Sequence, residues 1–145
     1  MADGESGFSD AEREAMKQRA EEVRASRGLK GKAKREREAQ ACAEAIAALT
    51  GTDHEVAQLL DDIVTELAPH LDPKTMYGFP AYARDGKVVV FYQPAARWES
   101  RYGTIAVDEA AQLDDGPFWP TSFAILVVTG EVTQQLRDLV TRAVG

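Results

Sequence analysis

The spacing of apolar residues in this chain switches between helical and strand periods, and the switches divide it into elements. Over residues 53–67, Val56, Leu59, Leu60, Ile63, Val64 and Leu67 recur every three or four positions, the pattern of a helix with one apolar face. Thr52-Asp53-His54-Glu55 has the spacing of a capping box at its start, and Pro69 stops it. A second such face, Val132, Leu136, Leu139, Val140 and Ala143, predicts a helix over 131–144. Strands are predicted between them, at 75–83, 87–93, 103–107 and 122–129. Residues 88–92 and 123–128 are apolar on both parities, which suits central strands covered on part of each face. Asp85-Gly86 readily takes the positive φ angles of a two-residue hairpin turn. A short helix is predicted over 108–115, capped by Asp108 and ended by Gly116.

The first third of the chain is patterned more weakly. Ser9-Asp10-Ala11-Glu12 is again a capping box, but the helix it opens, 9–24, offers only Ala11, Ala15, Met16, Ala20 and Val23 as an apolar stripe. Gly28 and Gly31 interrupt the pattern, and a second helix follows over 32–49, closed by Gly51. The element order predicts an α+β domain over 41–145, with a curved, mostly antiparallel sheet flanked by helices. A charged, partly mobile helical arm over 1–40 precedes it.

Composition adds limits. With 145 residues, 44% of them apolar, one hydrophobic core is expected. The net charge of -7 is unevenly spread: residues 41–145 carry 15 Asp or Glu against 7 Lys or Arg, whereas residues 23–40 carry 7 Lys or Arg against 2 Glu. An acidic body repels nucleic acid and anionic membranes and attracts cations or basic partners, and it also serves solubility. The single cysteine, Cys42, excludes an internal disulfide and a CxxC metal knuckle and suits a reducing cytoplasm. The N-terminus has no basic start or apolar h-region, and no run approaches the ~18 apolar residues of a membrane span, so a cytoplasmic protein without a membrane partner is expected.

Four phrases resemble a known group. They are Met76-Tyr77-Gly78-Phe79-Pro80-Ala81-Tyr82, Gly86-Lys87-Val88-Val89, Tyr102-Gly103-Thr104-Ile105, and Leu113-Asp114-Asp115-Gly116-Pro117-Phe118-Trp119-Pro120-Thr121. Together they are similar to the YdhG-like family, a domain of unknown function, over residues 43–144. The charged segment 8–27 resembles an extension carried by an actinobacterial branch of that family. The resemblance implies a sheet-and-helix fold similar to secretion chaperones. For one branch it implies a frataxin-like iron chaperone that hands iron to a recipient protein, a role resting on acidic surface rather than on a linear motif.

Three groups of residues are candidates for chemistry. Hard cations bind carboxylates, and Asp61, Asp62 and Glu66 lie on the polar face of the 53–67 helix, with His70 beyond Pro69, where weakly bound iron could sit. The plain alternative is a solvated acidic face, with Asp114-Asp115 merely ending the short helix and His54 a solvated first-turn residue. Secondly, Tyr77, Phe79, Tyr82, Tyr92, Trp98 and Trp119, with Arg101 as counter-charge, could converge on one sheet face as a groove for a small ligand or a protein partner. Their plain alternative is core packing. Thirdly, Arg24, Arg27, Lys30, Lys32, Lys34, Arg35 and Arg37 form a basic stretch that could neutralise phosphates. It lacks aromatic stacking residues and precedes an acidic body, so it reads as a solvated hinge rather than a nucleic-acid site. No G-x-S-x-G, P-loop or HExxH motif occurs, and the only histidines are His54 and His70, which disfavours an enzyme. A non-enzymatic binding protein is expected, an iron carrier first and a ligand- or protein-binding aromatic face second.

Overall fold

The computed structural model describes residues 8–26 and 30–145. Two helices, α1 (Asp10–Ser26) and α2 (Gly31–Ala48), lead into α3 (Gly51–Leu67). Strands β1 (Asp72–Met76), β2 (Phe79–Arg84), β3 (Lys87–Gln93), β4 (Gly103–Val107) and β5 (Ser122–Ile125) follow, and α4 (Gly130–Val144) ends the chain. The protein is an α+β domain whose sheet is an open antiparallel meander, β1-β2-β3-β4-β5. Among the described residues no helix is long and apolar enough to cross a membrane.

The capping box at Ser9 forms: the Ser9 amide donates to the Glu12 carboxylate at 2.9 Å, and the Glu12 amide to the Ser9 hydroxyl at 3.1 Å. The box expected at Thr52 does not. Helix α3 starts two residues earlier, after Thr50, whose side chain makes no capping hydrogen bond. Gly51, expected to close the preceding helix, is instead the first residue of α3.

Val56, Leu60, Ile63 and Val64 of α3 and Leu136, Leu139, Val140 and Ala143 of α4 are buried together against one sheet face. Burying a side chain of this size stabilises by about 1.5–3 kcal/mol, so these two helices anchor the core. That sheet face is set by register, with Tyr82 opposite Val90, Val90 opposite Val107, Tyr92 opposite Ile105, and Ile105 opposite Phe123. The register slips between Tyr82 and Ala83, leaving Val89 without a cross-strand partner. The slip accounts for the run that is apolar on both parities, because Val89 and Val90 are both fully buried. Helix α2 lies along β1 and adds Cys42 and Ile46 to the core. It runs without a break through residues 40 and 41, where the charge pattern placed the edge of the arm.

Three strand and helix expectations are corrected. The strand predicted over 75–83 is two strands, because Tyr77 and Gly78 take φ of 55° and 82° and reverse the chain between Met76 and Phe79. The last strand stops at Ile125, not at residue 129, because its partner there, Gly103, is the first residue of β4 and nothing remains to pair with Leu126. No helix forms over 108–115. Its backbone is claimed by tertiary structure, the Gln112 amide donating to the Ala143 carbonyl at 2.7 Å while Ala111 and Leu113 are buried.

Candidate functional site

Two adjoining turns shape an apolar groove beside the aromatic motif. The first is the Tyr77-Gly78 hairpin. A tyrosine at positive φ costs roughly 1 kcal/mol or more, and here the conformation is held from both sides. The Glu22 carboxylate of α1 accepts from the Tyr77 amide at 3.2 Å and the Gly78 amide at 2.7 Å, while Arg97 donates to the Tyr77 carbonyl at 2.8 Å. A Cβ on Gly78 would stand 3.0 Å from the Arg97 guanidinium and 3.2 Å from the Gln18 side chain, so helix and hairpin approach closely only over a glycine.

The second turn, Ala96–Trp98, is a single 3-10 turn after β3 and is pinned by Asp53. Asp53 is the buried charged residue of the core, 8% exposed, in the first turn of α3. Its carboxylate accepts from the Tyr92 hydroxyl at 2.6 Å and from the amides of Ala95 at 2.8 Å and Ala96 at 3.1 Å. Gly103 makes room for this arrangement, since a Cβ there would collide with the Tyr92 hydroxyl. Burial and the Asp53 carboxylate together raise the Tyr92 pKa, so the phenol stays protonated as the donor.

Between these turns and α1 runs a groove of about 380 Å³. Met76, Phe79, Phe91 and Trp98 line it from the sheet side, Tyr77 from the hairpin, and Phe8, Ala15 and Met16 from the helix side, with Glu12 and Gln93 as polar neighbours. Arg97 stacks on the Phe79 ring, 5.0 Å from its centroid. Trp98 carries the one buried side-chain polar atom without a partner among the described residues, its indole Nε1. An orphaned buried donor costs about 1–3 kcal/mol and in a native fold invites an explanation.

The sequence-predicted aromatics divide among separate places. Tyr77, Phe79 and Trp98 meet in the groove. Tyr82 and Tyr92 are core residues on the opposite sheet face, 0% and 1% exposed, so they cannot serve the same groove. Arg101 stacks on Tyr102 at 5.1 Å beside a small cleft near Asp53, and Trp119 packs half-buried against the core. The expected single aromatic face is corrected accordingly: successive strand residues point to opposite faces, and an aromatic motif crossing a tight turn cannot keep one side. Phe8, Met16, Met76 and Phe91 went unforeseen; the odd parity of Phe91 relative to Tyr92 was the available signal for one of them.

The three proposed iron ligands do not form a common site. Asp61 accepts from the buried Tyr82 hydroxyl at 2.8 Å, Asp62 from Gln58 at 2.9 Å, and Glu66 is held by Arg137 through two bonds of 3.1 and 2.8 Å. That ion pair keeps the Glu66 carboxyl below its ordinary value. Among the described residues no group of three or more His, Cys, Asp or Glu is disposed to hold a metal ion. His54 is half-buried rather than solvated. Its Nδ1 donates to the Ile46 carbonyl at 2.9 Å and joins the end of α2 to the start of α3. Cys42 is buried 4.0 Å from the Tyr82 hydroxyl, and burial pushes its thiol up to about 11. Of the basic stretch, Arg27 lies outside the described residues, Lys32 pairs with Glu36, and Arg37 with Glu44.

No family model, curated protein or solved structure matches this chain.

Proposed function

We propose that this chain is a non-enzymatic binding protein whose ligand is a small, flat, apolar molecule carrying a hydrogen-bond acceptor, held in the groove between α1 and the sheet. The observation that carries the reading is the groove itself, aromatic and methionine-lined, with one lining residue, Trp98, whose buried indole Nε1 has no hydrogen-bond partner among the described residues. Its volume falls at the small end of the roughly 300–1,000 Å³ typical of small-molecule sites. Thioether and aromatic surfaces adapt to flat ligands, and an acceptor on the ligand would satisfy the Trp98 N–H. The YdhG-like membership suggested by the motif phrases is kept as part of this proposal. The iron-carrier role that the resemblance implies would rest on acidic surface, but Asp61, Asp62 and Glu66 each have a protein partner, and we place the binding function in the groove instead.

The two tryptophans provide the test. In isotope-labelled protein titrated with a library of aromatic acids and amides, the Trp98 indole N–H signal shifts saturably and moves toward a hydrogen-bonded position. The Trp119 signal, outside the groove, stays still and serves as the internal control. No library member moving Trp98, or the two indoles moving together, refutes the assignment.

A further inference from the structure

The two edges of the sheet are treated differently. Strand β1 is guarded by the usual devices: Pro73 within it, Lys74 paired with Glu38 at 3.6 Å, and α2 packed along it. Strand β5 has none of these. No charged side chain occurs from residue 116 to residue 130, and β5 is hydrogen-bonded on one side only, to β4. The Val107 amide bonds to the Thr121 carbonyl, so by antiparallel alternation Thr121, Phe123 and Ile125 face β4, whereas Ser122, Ala124 and Leu126 turn their amides and carbonyls to the open edge. Beside this edge an apolar groove of about 400 Å³ separates β5 from Val132, Leu136 and Leu139 of α4. Leu126 and Val127, 58% and 52% exposed, border it.

The outer face of α4 indicates what completes the edge. Glu131, Gln135, Asp138 and Arg142 are all exposed and recur at four, three and four residues, one stripe of the helix. The stripe lies roughly 130° around the helix from Arg137, which reaches Glu66 on α3, so it faces away from α3, and its Gln135 lines the β5 groove. Read in reverse, the stripe complements itself. An antiparallel copy centred between residues 136 and 137 sets Glu131 against Arg142 and Gln135 against Asp138, each pair occurring twice. Among the ion pairs of the described residues, neither Glu131 nor Arg142 takes part.

We propose that the β5 edge and this stripe of α4 form a two-fold interface with a second copy of the chain. A two-fold axis normal to the sheet at the β5 edge makes the neighbouring strands antiparallel and lays the two α4 helices antiparallel over the join. The outward backbone groups of Ser122 and Ala124 then find partners, Leu126 and Val127 are covered, and the end charges of α4 pair across the axis.

The experiment is sedimentation velocity with light scattering on the full chain, from low to high micromolar concentration, where the wild type is expected at twice the chain mass. Ala124→Pro removes an amide that faces the open edge without touching the β4 ladder, and yields a monomer with unchanged circular dichroism. Glu131→Arg and Arg142→Glu each set like charges together and each weaken self-association by about tenfold. Mixed, they restore association, because the first supplies two arginines and the second two glutamates. A monomeric wild type at every concentration overturns the proposal and leaves the edge to a strand from a foreign protein. So does a dimer that survives Ala124→Pro, or a mixture that associates no better than either variant alone.

Discussion

Replacing Asp53 with alanine tests how the groove is held, because one carboxylate joins α3, β3 and the turn that carries Arg97 and Trp98. The variant orphans the buried Tyr92 hydroxyl, at about 1–3 kcal/mol, and two partly covered amides, at about 1 kcal/mol each. Losing an acidic group from the first turn of α3 adds about 0.5 kcal/mol. The expected loss is about 4 kcal/mol. With an unfolding entropy of about 2.1 cal/mol/K per residue, a chain of 145 residues loses about 13 °C in Tm. Asp53→Asn keeps one acceptor oxygen for Tyr92 and Ala95 and should cost about half as much. Tyr92→Phe removes a donor together with its bond, and in the Asp53→Ala background it should cost less than alone, because the orphan is gone. Urea unfolding of the four proteins of the Asp53/Tyr92 cycle supplies the numbers, and Trp98 emission reports whether the turn has loosened. A loss below about 1 kcal/mol for Asp53→Ala, or strict additivity with Tyr92→Phe, would show that the carboxylate does not hold these elements together.

Two further outcomes follow from the electrostatics. With its pKa pushed up to about 11 by burial, Cys42 is about one part in a thousand thiolate at pH 8, so a thiol reagent should label it only after denaturation; rapid labelling of native protein would contradict the burial. Glu66 is depressed by Arg137, so the ion pair contributes stability that is present above the unfolded value of 4.5 and lost as pH falls through the lower folded value. Urea midpoints of wild type and Arg137→Met should therefore differ at pH 7 and converge near pH 3, and a gap that persists at pH 3 would mean that Arg137 acts through packing alone.

What the residues determine by themselves is local. The apolar faces of α3 and α4, the capping box at Ser9 and the Asp85-Gly86 turn all formed, because periodicity, capping and turn chemistry act within a few residues. The antiparallel sheet against helices also followed, from element order. The Tyr77-Gly78 turn could not be read, because a tyrosine enters that conformation only with Glu22 and Arg97, distant along the chain, to hold it. Asp53 looked like part of a local cap and became a buried tertiary acceptor, since helix position says nothing about which loop will fold onto it. Asp61, Asp62 and Glu66 looked like one acidic column, but partners on β2, α3 and α4 took them separately. Tyr77, Phe79 and Trp98 share a groove while Tyr82 and Tyr92 lie in the core, a separation decided by strand parity and the hairpin between them. Local chemistry set the elements, and long-range hydrogen bonds and packing decided which side chains meet, because those contacts join residues whose separation along the chain no short-range pattern encodes.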